Sequence, residues 1–291
     1  MLAASYPVQV VCSALNLAPS SYYYESAAED EDAVVQALIT IAEKHPTYGS
    51  RRIAAQLRRK PHCLTVNRKR VQRIMREQGL VYRRKKAKKQ TTNSRHQFTR
   101  YENLVRGLKV ERPEQVWVSD ITYVKLGNGE FVFLAIIMDL YTRSIRGWSV
   151  SRGLGVELAL GALQQALMRA APEIHHSDQG LQYACPGYTK ELQSRAVRIS
   201  MAEVGHSEQN GYAERVIRTI KEEEVYLNEY GSYEEAEKQI GNFIEAVYNQ
   251  KRIHSSLGYL TPVEYEKRWR KQQAALAKKS GQAKRESHLQ I

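Results

Sequence analysis

The stretch from residue 116 to residue 138 limits the fold more than any other part of the chain. Val116, Val118, Thr122 and Val124 alternate with Trp117, Ser119, Ile121 and Tyr123, the two-residue period of a strand. Gly127-Asn128-Gly129 supplies a hairpin turn, and residues 131–138 follow as an unbroken apolar run. Such a run predicts a central strand buried on both faces. It is also the longest apolar run in the chain, and far short of a membrane span. Asp120 lies inside the first strand, on the same face as Val118 and Thr122. An acid in that position is unfavourable unless it is paired or binds a ligand.

The elements that follow extend the sheet. Residues 145–150 read as a third strand, 156–170 as a helix stopped by Pro172, and 173–176 as a short fourth strand. A helix near 187–195 and a strand at 197–201 come next. Helices near 208–226 and 233–249 close the region, the second opening on the capping-box pattern Ser232-x-x-Glu235. Three antiparallel-type strands followed by alternating helices and strands is the order of a ribonuclease-H-like fold. The expectation is an α/β domain over residues 113–270, a mixed five-stranded sheet with flanking helices.

Ahead of it the texture is helical. Residues 1–28 form a lead-in with Pro19-Ser20-Ser21 as a turn before Tyr22-Tyr23-Tyr24. Residues 29–90 read as an all-α domain of three helices, near 32–45, 50–59 and 67–79, the last with Asn67 as its N-cap and Gly79 as its terminating glycine. Val71, Ile74 and Met75 face inward on that third helix, while Arg68, Lys69, Arg70, Arg73 and Arg76 face elsewhere. A short-helix domain whose last helix is basic resembles a helix-turn-helix, whose final helix enters the major groove; the alternative is a three-helix bundle with a solvated face. Residues 91–112 read as a linker, and 271–291 as a basic tail expected to be mobile.

Charge is concentrated in that helical segment. The chain carries a net +13, yet residues 51–100 hold 18 Lys and Arg against a single acid, Glu77. Residues 83–89, with Arg83, Arg84, Lys85 and Lys86, are basic except for Ala87. A localised block of this kind fits a polyanion such as nucleic acid, or simply a solvated basic face. The cysteines Cys12, Cys63 and Cys185 are few, scattered and odd in number, which speaks against a disulfide framework or a zinc knuckle and fits a reducing cytoplasm. Gln9 and Asn16 interrupt the apolar N-terminus, so no signal peptide is expected.

Three acids stand out as a set. Asp120 is mid-strand; Asp178 follows the fourth strand in His175-His176-Ser177-Asp178-Gln179-Gly180; Glu214 sits on a helix whose apolar stripe is Ala213, Ile217 and Ile220. Singly, each has a plain structural reading: a hydrogen-bonded or wet-edge Asp, a turn Asp, a surface Glu. Glu222, Glu223 and Glu224 read as surface salt-bridge partners. Together, a strand, a neighbouring strand end and a facing helix can bring three carboxylates to one point. Two divalent ions clamping a phosphodiester need several hard oxygen ligands of this kind.

The same stretches resemble the Asp-Asp-Glu group of transposases and integrases. Trp117-Val118-Ser119-Asp120-Ile121-Thr122-Tyr123 looks like its first-acid motif, His176-Ser177-Asp178-Gln179-Gly180 its second, and Asn210-Gly211-Tyr212-Ala213-Glu214-Arg215 its third. Asp178 and Glu214 have 35 residues between them, and Lys221 stands seven positions after Glu214, as in that group. Tyr248-Asn249-x-x-Arg252-x-His254 and the Thr261-Pro262 that follows are similar to its next segment. His45-Pro46-x-Tyr48-Gly49-x-Arg51-Arg52-Ile53 and Asn67-Arg68-Lys69-Arg70-Val71 resemble the helical domain of the insertion-sequence-three family, in its second-frame product. Gln209 departs from the pattern, since many relatives carry an Asp before the Asn.

That resemblance implies a transposase acting on the terminal repeats of an insertion sequence. Asp120, Asp178 and Glu214 would be catalytic and hold two Mg²⁺ (or Mn²⁺) ions for DNA cleavage and 3′-hydroxyl strand transfer. Lys221, Arg218, Arg51, Arg52, Arg68, Lys69, Arg70, Arg73, Arg83, Arg84, Lys85 and Lys86 would contact DNA. Double-stranded DNA, a homo-oligomer on that DNA and the upstream-frame (OrfA) protein are the implied partners, in the cytoplasm at the nucleoid. No sustained heptad of a dimerisation arm and no zinc-binding domain of retroviral integrases is visible. The competing readings are another ribonuclease-H-like nuclease or integrase, and a catalytically defunct DNA-binding regulator.

Overall fold

The computed structural model describes residues 6–23, 31–82, 98–203 and 206–288. They form two compact units, one drawn from residues 1–44 and 53–81, the other from 45–52 and 82–291. No helix among the described residues is long and apolar enough to cross a membrane.

The first unit is helical. It contains α1 (Val8–Ala14), α2 (Pro19–Tyr22), α3 (Glu31–Lys44), most of α4 (Ser50–Leu57) and α5 (Arg68–Glu77). Pro19-Ser20-Ser21, expected as a turn, is instead the start of the single helical turn α2, because the proline at its first position already has a helical φ. The helical stripes are buried as their spacing requires: Val34, Leu38 and Ile41 on α3, Ile53 and Leu57 on α4, Val71, Ile74 and Met75 on α5. Asn67 caps α5, its side chain accepting from the Lys69 amide at 2.9 Å. Gly79 ends the helix with φ +67°, and the Leu80 amide reaches back to the Met75 carbonyl at 2.8 Å. Arg68 and Lys69 are exposed, Arg70 half-buried. Arg73 is exposed and paired with Glu31 and Glu77.

The second unit is built on a five-stranded sheet. β1 (Val116–Lys125), β2 (Phe131–Asp139) and β3 (Ile145–Ser151) are antiparallel neighbours; β4 (Ile174–Ser177) and β5 (Arg198–Met201) add in parallel. The order β3-β2-β1-β4-β5 is the ribonuclease-H-like arrangement expected from the element order. Helix α6 (Val156–Leu167), with α7 (Leu181–Ala184) and α8 (Pro186–Ser194), covers the face carrying Trp117, Ala135 and Ile137. The opposite face, with Val118, Leu134 and Ile136, packs on α9 (Gly211–Ile220) and α10 (Tyr233–Asn242). The 131–138 run is thus sandwiched, and its apolar residues point both ways. Helix α11 (Pro262–His288) runs on through residue 270, where the basic tail was expected to begin.

Two close approaches hold the layers. Gly147 on β3 lies under α6, and a Cβ there would overlap the Ala162 carbonyl oxygen. Gly241 on α10 lies against the Trp148 ring, which a Cβ would also overlap.

The helix carrying Glu214 does not continue as a regular α-helix. A π-helical turn spans Lys221–Val225, with the Tyr226 amide bonded to the Lys221 carbonyl at 2.8 Å. Glu223 in that turn is largely covered, its side chain 11% exposed, contrary to its reading as a surface residue. Arg252 binds it bidentately at 2.7 Å through Nε and Nη2, and Arg52 adds a bond at 3.1 Å. Burial alone would raise the Glu223 carboxyl, but Arg252 and Arg52 together hold it below its ordinary range. The Tyr48 hydroxyl accepts from the Ile253 amide at 3.0 Å, so residues 45–52 are tied to the core by both an ion pair and a hydrogen bond. Removing one partner of a buried pair leaves the other uncompensated, which costs about 3–5 kcal/mol.

Three measurements follow from this packing. Gly147→Val should lower the denaturation midpoint in urea by the equivalent of about 1–3 kcal/mol or more, through overpacking against α6. Arg252→Ala should cost about 3–5 kcal/mol, and Glu223→Gln a similar amount, because it leaves the buried Arg252 without its counter-charge. The third concerns acid. His254 is buried among Arg252, Arg52, Arg143 and Tyr248; burial, then the charges of those arginines, pushes its imidazole down to about 2. Between pH 6.5 and 2 the unfolded chain would hold a proton there that the folded chain does not, so stability is lost as pH falls through that window. The drop in melting temperature from pH 7.5 to 5 should be smaller in His254→Gln than in the parent; an equal drop contradicts the assignment.

Candidate active site

Backbone pairing alone puts the first two acids together. β1 and β4 run parallel with Val118 opposite His176. Two residues further along β1 comes Asp120, and one residue past the end of β4 comes Asp178, so the paired strands deliver the two acids on neighbouring segments. Asp120 is half-buried, and its Oδ1 accepts from the Ile121 amide at 2.8 Å. Burial and the adjacent Asp178 push its carboxyl up to about 8; Glu214 adds to the rise, while the Ile121 bond and Lys221 act against it. Asp178 turns the chain after β4, its Oδ1 accepting from the Gly180 amide at 3.0 Å. A Cβ at Gly180 would stand 2.9 Å from that oxygen, so glycine lets the turn close on the carboxylate.

Glu214 is brought in by α9. Ala213, Val216, Ile217 and Ile220 bury one face of the helix on the sheet, leaving Glu214 exposed at its edge. The start of the helix is pinned by Asn210, a buried side chain whose Nδ2 donates to the Ser119 carbonyl at 2.9 Å. That bond ties α9 to β1 one residue before Asp120. Asn210 was quoted in the third-acid motif but given no role of its own; a buried amide three to four residues ahead of a site acid was the available signal. Gln209, the departure from the family pattern, is engaged: its Oε1 accepts from the Asn103 side chain at 2.7 Å and the Glu203 amide at 2.8 Å.

Lys221, at the head of the π-helical turn, extends over the Tyr123 ring at 4.4 Å. Burial lowers its ammonium pKa, and the nearby Asp120 opposes that. Tyr183, on α7, is buried close enough to both Asp120 and Asp178 for each to help raise its hydroxyl, after burial and Tyr188. Sequence patterns offered no pointer to it. Asp139 is a further acid and is fully buried, but it is satisfied structurally by the Thr142 amide and hydroxyl and by the Glu114 amide.

The donor set suits a hard divalent cation: three carboxylates, two on paired strands and one on a facing helix, with a like-charge penalty already present at Asp120. Among the described residues no three His, Cys, Asp or Glu side chains meet closely enough to grip an ion as they stand.

The expected DNA-contacting residues divide. Arg218 is exposed one turn after Glu214, and Arg51 is exposed. Arg52 is committed to Glu223. Arg68, Lys69, Arg70 and Arg73 lie on the helical unit, and Arg83, Arg84, Lys85 and Lys86 lie outside the described residues.

Known proteins place this arrangement. A model of an HTH-like domain matches residues 29–88, and integrase core domain models match 110–207 and 195–262. The transposase for insertion sequence element IS629 of Shigella sonnei is 32% identical over 280 residues, 91% of this chain and 93% of the relative. Transposase InsF for insertion sequence IS3A of Escherichia coli (strain K12) is 30% identical over 278 residues, 90% and 95% of the two chains. Among solved structures, the HTLV-2 integrase catalytic core domain in complex with magnesium is similar at a TM-score of 0.44 and 16% identity, over 53% of this chain and 97% of that one. With 30–32% identity to transposases of IS3 and IS629 over nearly its full length, the chain belongs to the insertion-sequence-three family, as a DNA-binding transposase with an integrase-type catalytic core.

Proposed function

We propose that this transposase binds the terminal repeats of its insertion sequence, cleaves the DNA at the element end and joins the freed 3′-hydroxyl to target DNA. The observation that supports the reading is the β1–β4 pairing, which leads into Asp120 on one strand and Asp178 after the other, with the start of α9 tied to β1 by Asn210.

Asp120, Asp178 and Glu214 would hold two Mg²⁺ or Mn²⁺ ions. Bound there, the metal supplies an activated water or hydroxyl and offsets charge on the phosphoryl oxygens. The protein's own residues do the remainder. Asp120 and Asp178 fix the site to rigid strands, and Glu214 closes it from the helix. Lys221, close to Asp120, presents an ammonium to a phosphate beside the reacting bond. Burial of the Asp120 side excludes bulk water and strengthens these charge interactions. Cleavage and joining use the same carboxylates in turn, and no covalent link to the enzyme is needed, so the tyrosines have no nucleophilic task.

DNA is held by a different part of the chain. Arg68 and Lys69 on α5, exposed, with Arg70, Arg73 and Arg51, would grip the duplex, joined by Arg83, Arg84, Lys85 and Lys86. A homo-oligomer would pair two element ends, with the upstream-frame protein as a further partner.

The test is nicking of duplexes from the DNA flanking the coding frame. Nicking should require Mg²⁺ or Mn²⁺ and fall at least about a thousandfold in Asp120→Ala, Asp178→Ala and Glu214→Ala, as expected when ligands of a catalytic metal are lost. If Asp178→Ala nicks as fast as the parent, the triad does not carry the chemistry. Binding should weaken linearly in log salt with a slope of about −0.9 per phosphate contacted, and Arg68→Gln or Lys69→Gln should each shallow it by about one. A salt-independent affinity removes the DNA role of α5.

A further inference from the structure

Beside Glu214 the core carries a half-open cavity of about 540 Å³, most of whose lining the carboxylate chemistry leaves unused. One wall is the stripe Tyr212, Arg215 and Arg218 of α9; facing it are Arg143, from the turn between β2 and β3, and Arg252 and His254, from the segment after α10. Cations dominate the lining: five arginines, counting Arg52, against the carboxylates Glu208 and Glu214. Arg52 and Arg252 share Glu223, but Arg143, Arg215 and Arg218 have no carboxylate partner among the described residues.

Arg143 is the most telling of these. Its guanidinium lies on the Tyr212 ring at 4.2 Å, and its Nη1 is buried without a hydrogen-bond partner among the described residues. Its backbone takes φ +61°, an uncommon conformation for a non-glycine residue. A buried guanidinium N–H without an acceptor is unfavourable, the more so for its charge, and it calls for an anionic oxygen. Tyr212, half-exposed at 53%, and the buried Tyr248 add aromatic surface to the same space.

Arginines facing an open space recognise phosphate oxygens, and aromatic rings beside them stack bases. The volume falls in the roughly 300–1,000 Å³ range of sites for small molecules. It is far too small for a duplex, whose major groove alone is about 12 Å wide. We propose that this cavity receives one unpaired nucleotide of the DNA strand that reacts at the carboxylates. Its phosphate would lie on Arg143, Arg215 and Arg218, and its base against Tyr212. Glu214 belongs both to the cavity wall and to the acid triad, so a nucleotide seated here is a near neighbour of the reacting phosphodiester. The cavity would thus orient the strand, a function separate from the groove contacts of α5. This reading rests on the transposase assignment of the same core.

The experiment compares binding and nicking on three duplexes of flanking DNA, using the full chain. One is fully paired, one carries a single mismatched nucleotide at each of the last positions in turn, and one has an abasic residue there. Extruding a paired base costs a few kcal/mol, least for a mismatched one. The parent should bind the best mismatched end about tenfold more tightly than the paired end and lose most of that gain with the abasic residue. Tyr212→Ala and Arg143→Gln should bring the ratio close to one; Tyr212 is exposed, so its variant keeps the fold, as an unchanged melting temperature would verify. Equal affinity of the parent for all three duplexes, or an undiminished tenfold preference in Tyr212→Ala, overturns the proposal. Metal-dependent nicking that persists in the parent and disappears in Asp178→Ala would then leave the transposase chemistry standing and the cavity assignment alone refuted.

Discussion

Two carboxylates set side by side on paired parallel strands repel each other, and much of the core is arranged so that they stay there. The pairing of β1 with β4 brings the segments that carry Asp120 and Asp178 side by side. Burial of Asp120 deepens the penalty, which its raised carboxyl pKa records. A fold tolerates such a site only if the surrounding layers are stable enough to hold it. Here β2 is covered on both faces, and close approaches at Gly147 and Gly241 bring α6 and α10 down onto the sheet. A divalent cation is the natural counter-charge, and the third carboxylate arrives on a helix pinned to β1 by the Asn210–Ser119 bond.

The second organising device is the ion-pair network around Glu223. It joins the π-helical turn that carries Lys221 to the segment around Arg252 and to residues 45–52. Lys221 and Glu223 are two residues apart in one turn, so whatever holds Glu223 also limits where Lys221 can reach. Charge is divided accordingly. In the core, arginines are largely spent on buried pairing or on the cavity beside Glu214. On α5, Arg68 and Lys69 stay exposed and open to a polyanion.

The sheet was legible because each strand announces itself locally. Alternation from Val116 to Val124, the Gly-Asn-Gly turn and the apolar run are properties of adjacent residues, and the observed strands follow them. Asp120, Asp178 and Glu214 could be picked out as a set because strand, strand end and helix are each locally readable, and the family resemblance supplied their spacing. What escaped depends on partners distant in the chain. Glu223 looks like its neighbours in an acidic run until Arg252 and Arg52 fold against it. Tyr183 lies on a four-residue helix with no periodicity to read, and the cavity gathers residues from three separate segments. The two π-helical turns, at Lys221–Val225 and Phe243–Tyr248, were hidden inside patterns that read as continuous helix.

The central claim is that Asp120 and Asp178 resist ionising together and that a divalent cation relieves that penalty. Thermal melting of the parent and of Asp120→Asn at neutral pH, with and without Mg²⁺, tests it most directly. Without metal, Asp120→Asn should melt higher than the parent, since Asp120, its carboxyl pushed up to about 8, must take up a proton on folding at neutral pH and Asn need not. Adding Mg²⁺ should raise the parent's melting temperature and leave that of Asp120→Asn nearly unmoved. An Asp120→Asn variant that melts lower than the parent without metal, and gains as much from Mg²⁺, would contradict the account.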